Sequence, residues 1–181
     1  MVLKGFFNKK NDLTAERPLY EAIVQQARHP QFYRDWEVPD SLDGRFELIC
    51  IHVFLVLQRL KGEDENTTIL GQRLHDLFFA DMDESLREMG AGDLGVGKRV
   101  KKMVQAFYGR IAAYELGLRG ASEELEAAIQ RNLYGTLSDV APESVAAMAR
   151  YIHDQRDHLA HQAVADLSEG QVTFAPPPAA N

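Results

Sequence analysis

Phe46, Ile49, Cys50, Val53, Phe54, Leu57 and Leu60 recur three or four residues apart for about four turns. Only a helix turns that spacing into one continuous apolar face. The VPDS segment at 38–41 supplies the break and the cap before it. A helix this apolar needs others around it, and the same period runs through most of the chain. Leu19, Ile23 and Ala27 mark an earlier helix, opened by Pro18 and closed by Pro30, with a short helix or turn at 31–36. After the polar loop 62–66, Leu70, Leu74, Leu77, Phe78, Met82, Leu86 and Met89 predict a third helix, capped by Thr67 or Thr68. Val96, Val100, Met103, Phe107, Ile111, Tyr114 and Leu118 predict a long fourth, ending near Gly120. Ser122 opens a shorter helix with Leu125, Ile129 and Leu133. Pro142 opens a last one through Val145, Met148, Ile152, Leu159, Ala163 and Leu167, stopped by Gly170. The expected fold is therefore all-α: a single-domain bundle of about six or seven helices with a short extended C-terminal strap at 171–174. Residues 1–17 read as a flexible basic-apolar arm, 18–174 as the helical domain, and 175–181 as a disordered Pro-rich tail.

Composition narrows the function class. A chain of 181 residues with 45% apolar and 26% charged residues fits one soluble domain with a sizeable core. A net charge of -7 argues against general nucleic-acid binding and against a specific DNA partner, yet leaves room for a local basic patch. The lone cysteine, Cys50, permits no internal disulfide, and its apolar setting marks it as an inert buried thiol in a reducing compartment. No apolar run approaches the ~20 residues that span a bilayer, so the expected location is cytoplasmic. Val2, Leu3, Phe6 and Phe7 beside Lys4, Lys9 and Lys10 suit the arm to rest on an anionic inner-membrane surface. A disordered arm is the alternative reading of the same residues.

The segment 78–110, FFADMDESLREMGAGDLGVGKRVKKMVQAFYGR, sets an acidic helix end, close-spaced glycines and a basic helix start side by side. Gly90, Gly92 and Gly95 have the G-x-G-x-x-G spacing, and Gly92, Gly97 and Lys98 come near a P-loop. Both nucleotide readings fail. No strand precedes Gly90, and Arg99 stands where a P-loop needs Ser or Thr for magnesium. Gly90 instead reads as the residue just past a helix end. Lys98, Arg99, Lys101 and Lys102 in the first turns of the next helix oppose its dipole and invite a partner. That partner is either internal, from Asp81, Asp83, Glu84, Glu88 or Asp93, or external: phosphate, acidic lipid or an acidic protein segment.

Other chemistry is sparse. His153, Asp157 and His161 share a helix face, but the outer two lie about 12 Å apart along the axis and cannot converge on one ion. A pair can bind a metal; a solvated polar face is the plainer reading. His52 beside the central apolar stripe reads as a satisfied buried histidine. Asp81 and Asp83, two apart on a helix, point to different sides and form no acid/base dyad. There is no G-x-S-x-G and no H-E-x-x-H. The expectation is a binding protein, not an enzyme, with no cofactor and no metal. Two alternatives stay open: a nucleic-acid- or ribosome-binding regulator using 98–102, and a helical metal-dependent enzyme using the last-helix histidines.

Several ordered motifs carry a resemblance: LYEAIVQQAR at 19–28, FYRD at 32–35, VPDSLDGRFE at 38–47, IHVFLVLQRL at 51–60, FADMDESLREMG at 79–90 and KKMVQAFYGR at 101–110. Together they resemble the ubiquinol-cytochrome c chaperone family, closely over 19–118 and loosely beyond. The resemblance implies an all-helical assembly factor for the cytochrome bc1 complex, respiratory complex III. Its mitochondrial members bind newly made cytochrome b and associate with the ribosome near its tunnel exit, with a small partner protein. Without a transit peptide, this chain looks like a bacterial member. The resemblance further implies partner-binding roles for Asp81, Asp83, Leu86, Arg87, Glu88, Gly92, Asp93, Lys98, Lys101, Lys102, Tyr108 and Arg110. The partners it implies are cytochrome b, nascent or newly inserted, the ribosome, and the membrane surface.

Overall fold

A computed structural model of the chain describes residues 14–88, 93–120 and 122–178, with residues 93–96 and 99 described through the backbone alone. Among these residues lie helices α1 (Glu16–Ala27), α2 (Pro30–Arg34), α3 (Leu42–Leu60), α4 (Glu65–Glu88), α5 (Asp93–Arg119), α6 (Ser122–Asn132), α7 (Pro142–Ala160) and α8 (Val164–Ser168). α2 and α8 are single short turns of five residues, so six longer helices build an all-α, single-domain bundle. An extended strap follows α8.

The apolar face of α3 makes it the centre. It packs against α1, α4 and α7, while α1, α4, α5, α6 and α7 contact one another in that sequence around it. Leu48, Ile51, Val53 and Val56 are fully buried in the resulting core. Phe78 of α4 joins the layers, with ring contacts to Tyr20 of α1, Phe46 of α3 and Phe107 of α5. Where α5 meets α6, a Cβ on Gly117 would stand 2.6 Å from Leu125 Cα, so only glycine permits this approach.

Helix ends show where sequence expectations need correction. Ser41 caps α3, its hydroxyl accepting the Gly44 N–H at 3.2 Å. α4 is capped by Asp64, not by Thr67 or Thr68. Asp64 Oδ1 accepts the Thr67 N–H at 2.7 Å, and Thr67 Oγ1 accepts the Asp64 N–H at 3.0 Å, a reciprocal box that places buried Thr67 inside the first turn. The last helix is not continuous to Leu167 either. α7 stops at Ala160 because Arg59 of α3 donates to the carbonyls of Leu159 and Gln162, both at 3.0 Å, before α8 begins. The other end of α7 is sealed from equally far away. Glu37, with φ +56°, accepts the Ala141 N–H at 3.1 Å and the Ser144 hydroxyl at 2.7 Å.

Gly170 ends α8 with φ +83°. Its N–H reaches Leu167 O at 2.9 Å and the Gln171 N–H reaches Asp166 O at 2.8 Å, the paired bonds of a Schellman stop. Residues 175–178, read from sequence as the start of a tail, lie against the fold, and Pro177 is buried. Cys50 is buried at the core, where burial pushes its thiol well up. No helix among the described residues is long and apolar enough to cross a membrane.

Candidate functional site

The end of α4, the first half of α5, the start of α3 and the end of α6 enclose a groove of about 570 Å³. Its walls follow from amphipathic helices that share one apolar stripe between the core and this opening. Leu42, Phe46, Met82, Leu86 and Met103 supply the apolar surface, and Leu42 is 55% exposed. Glu47 and Arg110 close the inner end, and Lys102 and Arg131 stand at the rim with Asp43. Arg110 Nε donates to Glu47 Oε2 at 2.6 Å, and a terminal guanidinium nitrogen bonds Oε1. Burial pushes the Glu47 carboxyl up, and the Arg110 charge only partly pulls it back. The Arg110 guanidinium also lies 5.9 Å from the Phe46 ring centroid, so the groove floor turns from aromatic to cationic at one point.

The residues singled out by resemblance divide into groups. Leu86, Lys102 and Arg110 line the groove. Asp81 faces the opposite way, its carboxylate accepting the Tyr20 hydroxyl at 2.7 Å and so tying α4 to α1. Asp83 is paired with Arg87 one turn on at 2.6 Å, along the same helix. The two aspartates do point to different sides. Glu88, Lys98 and Lys101 are exposed. Tyr108 is 55% exposed and meets His75 Nε2 at 3.1 Å, away from the groove. Asp93 is the first residue of α5, with no side chain described, and Gly92, like Gly90, lies outside the described residues.

Because α5 begins at Asp93, Lys98, Lys101 and Lys102 fall in its second and third turns. The dipole effect fades within the first turn, so their unfavourable interaction with it is smaller than a start near Val96 implies. Among the described residues none of the three has an acidic partner, since Asp81 and Asp83 are engaged elsewhere. The internal pairing considered from sequence is not formed by those two carboxylates. Sequence reasoning missed Phe46, Met103 and Arg131 as groove residues. Phe46 and Met103 belong to the stripes that mark core faces, and Arg131 arrives from a helix with no chemical motif.

No group of three His, Cys, Asp or Glu side chains among the described residues, the last-helix histidines included, is placed to hold an ion. His161 caps the end of α7, its Nδ1 on Asp157 O at 2.7 Å.

Comparison with known proteins places this architecture. The model of the family described as ubiquinol-cytochrome C chaperone matches residues 34–174, which contain the whole groove. The ubiquinol-cytochrome-c reductase complex assembly factor 1 of Xenopus laevis is 24% identical over 153 residues, 84% of this chain and 76% of that protein. Its counterpart in Mus musculus is 23% identical over 159 residues, 87% of this chain and 54% of its own length, so this chain spans about half of the mouse relative. The crystal structure of the Cbp3 homolog from Brucella abortus superposes with a TM-score of 0.81 at 38% identity, covering 89% of this chain and 88% of that one. The family match spans most of the sequence and the fold superposes on a solved homolog, and the chain belongs to the ubiquinol-cytochrome C chaperone family.

Proposed function

We propose that this protein is an assembly chaperone for ubiquinol-cytochrome c reductase whose groove holds an apolar segment of newly made cytochrome b. One observation carries this reading: an apolar trough with a cationic rim lies wholly inside the region shared with the family. Membrane-protein segments need their apolar surface covered before insertion, and a helix-lined trough covers such a segment without nucleotide hydrolysis. Met82, Leu86 and Met103 suit this role because thioether and branched side chains adapt to differing surfaces. Binding, and not catalysis, is the chemistry the residues support.

The exposed row Lys98, Lys101 and Lys102 leads from the rim along α5. In this reading it attaches the chaperone to an anionic surface, the ribosome or the inner membrane, while the groove is loaded. Residues 1–13 of the N-terminal arm expected at 1–17 lie outside the described residues, and the arm's proposed role is a second membrane contact.

The test is a photo-crosslinker placed at Met103 in cells. Cytochrome b is the expected adduct, and deletion of the gene is expected to lower the level of the complex. Normal complex levels after deletion, or no cytochrome b adduct from Met103, removes the proposal.

A further inference from the structure

The segment 171–178 is held through its backbone by side-chain amides. Gln162 donates its amide hydrogen to Thr173 O at 2.7 Å and accepts the Thr173 N–H at 2.9 Å. Gln155 treats Ala175 the same way, donating to its carbonyl at 2.8 Å and accepting its N–H at 3.1 Å. Gln26 adds a second donor to Ala175 O at 3.0 Å, and Gln31 donates to Pro178 O. Residues 173 and 175 are two apart, so in an extended chain they turn N–H and C=O to the same side. Two glutamine amides thus offer the donor-acceptor pairs that a neighbouring strand would offer.

The intervening residue packs on the fold through its ring. The Phe174 ring meets His52 edge-on, 5.3 Å between centroids, at the margin of the cluster formed by Phe32, Trp36 and Tyr151. Pro177 is buried three residues on. Beneath lies a chain of neutral groups. His52 Nδ1 donates to Leu48 O at 2.7 Å, which leaves Nε2 to accept the Tyr151 hydroxyl at 2.8 Å, and the Tyr151 oxygen accepts from Gln26 at 2.8 Å. Burial holds His52 uncharged, down to about 4. The Tyr151 hydroxyl thus orients the same Gln26 amide that meets Ala175. The seat contains uncharged donors and acceptors, one aromatic wall and one site for proline.

Backbone bonds do not depend on which chain supplies the backbone. We propose that this seat is a peptide-binding site for a neutral extended segment of the form Phe-Ala-x-Pro, filled in cis by residues 171–178. The same seat takes such a segment in trans from another polypeptide. Tethering gives the cis segment a local concentration of about millimolar order, so the trans segment enters by displacement.

The experiment uses the full chain with a protease site inserted between Gly170 and Gln171. After cleavage, the fragment 171–181 is expected to remain bound through gel filtration. A labelled synthetic peptide of that sequence exchanges into the nicked protein with saturable binding. Phe174→Ala in the peptide, or Gln155→Ala with Gln162→Ala in the protein, weakens that binding at least tenfold. In uncut wild-type protein, saturating peptide displaces the tethered segment and accelerates its digestion by carboxypeptidase. Three results overturn the proposal: a released fragment with a helical remainder that ignores the peptide, a remainder that unfolds on release, or affinity unchanged by the glutamine substitutions.

Discussion

Arg110 closes on Glu47 across 63 positions of sequence, its Nε 2.6 Å from a carboxylate whose side chain is 4% exposed. Replacing Arg110 by Met strands a buried charge, and the expected loss is about 3 to 5 kcal/mol in urea unfolding at pH 7. The deficit should depend on pH. Burial already raises the folded-state pKa of Glu47, and loss of Arg110 raises it further. An acid whose folded pKa lies above its unfolded value gains stability as pH falls through that folded value. The Arg110→Met deficit therefore shrinks between pH 7 and pH 5; an equal deficit at both contradicts the assignment.

His52 works in the opposite direction. Its folded pKa is lowered from 6.5 to about 4 by burial, so the unfolded chain binds a proton that the folded chain refuses. The stability it contributes is present above pH 6.5 and lost as pH falls toward 4, about 3 kcal/mol in full. The wild-type protein should lose more stability than His52→Gln across that window, as read from denaturation midpoints. Parallel pH curves for the two would show that His52 is not the titrating group.

Two glycines of α5 predict opposite signs. Gly117→Ala drives a Cβ toward the Leu125 backbone at 2.6 Å, with an expected loss of about 1 to 3 kcal/mol. Gly109→Ala meets nothing within 4 Å on an exposed helical turn and should gain about 0.5 to 1 kcal/mol. Thermal melts of both variants check the pair.

Lys98→Glu, Lys101→Glu and Lys102→Glu together alter exposed side chains without acidic partners among the described residues. Stability should shift by about 0.5 kcal/mol or less per site. Sedimentation with ribosomes, or flotation with anionic vesicles, should drop in the triple variant and fall with salt in the wild type. Retention of both associations in the triple variant removes the row as a docking surface.

The central place of α3 was legible because fifteen residues keep one apolar period, and nothing but a helix satisfies it. Cap identity was not. Asp64 and Thr67 both carry side chains able to cap, and the choice between them turned on burial of Thr67, which pattern does not encode. The break after Ala160 depends on Arg59, about a hundred residues earlier, so no local signal marks it. The groove was legible in part: Leu86, Lys102 and Arg110 came from a recognisable segment. Phe46 and Met103 were hidden because an apolar stripe reads the same whether it faces a core or an opening. The wall formed by α6 needed the tertiary fold.

Both ends of α7 are finished by side chains from the first third of the chain, Glu37 at its start and Arg59 at its end. Left alone, nineteen residues of modest propensity would fray from each terminus. The C-terminal third consequently inherits its helix boundaries from the N-terminal third. Folding must close loops of about a hundred residues before α7 is secure, a slow, non-local step. During synthesis the loop around Glu37 and the end of α3 emerge first and stand as a template. A fragment beginning at Pro142 has no such template and should stay largely unfolded until the missing part is supplied.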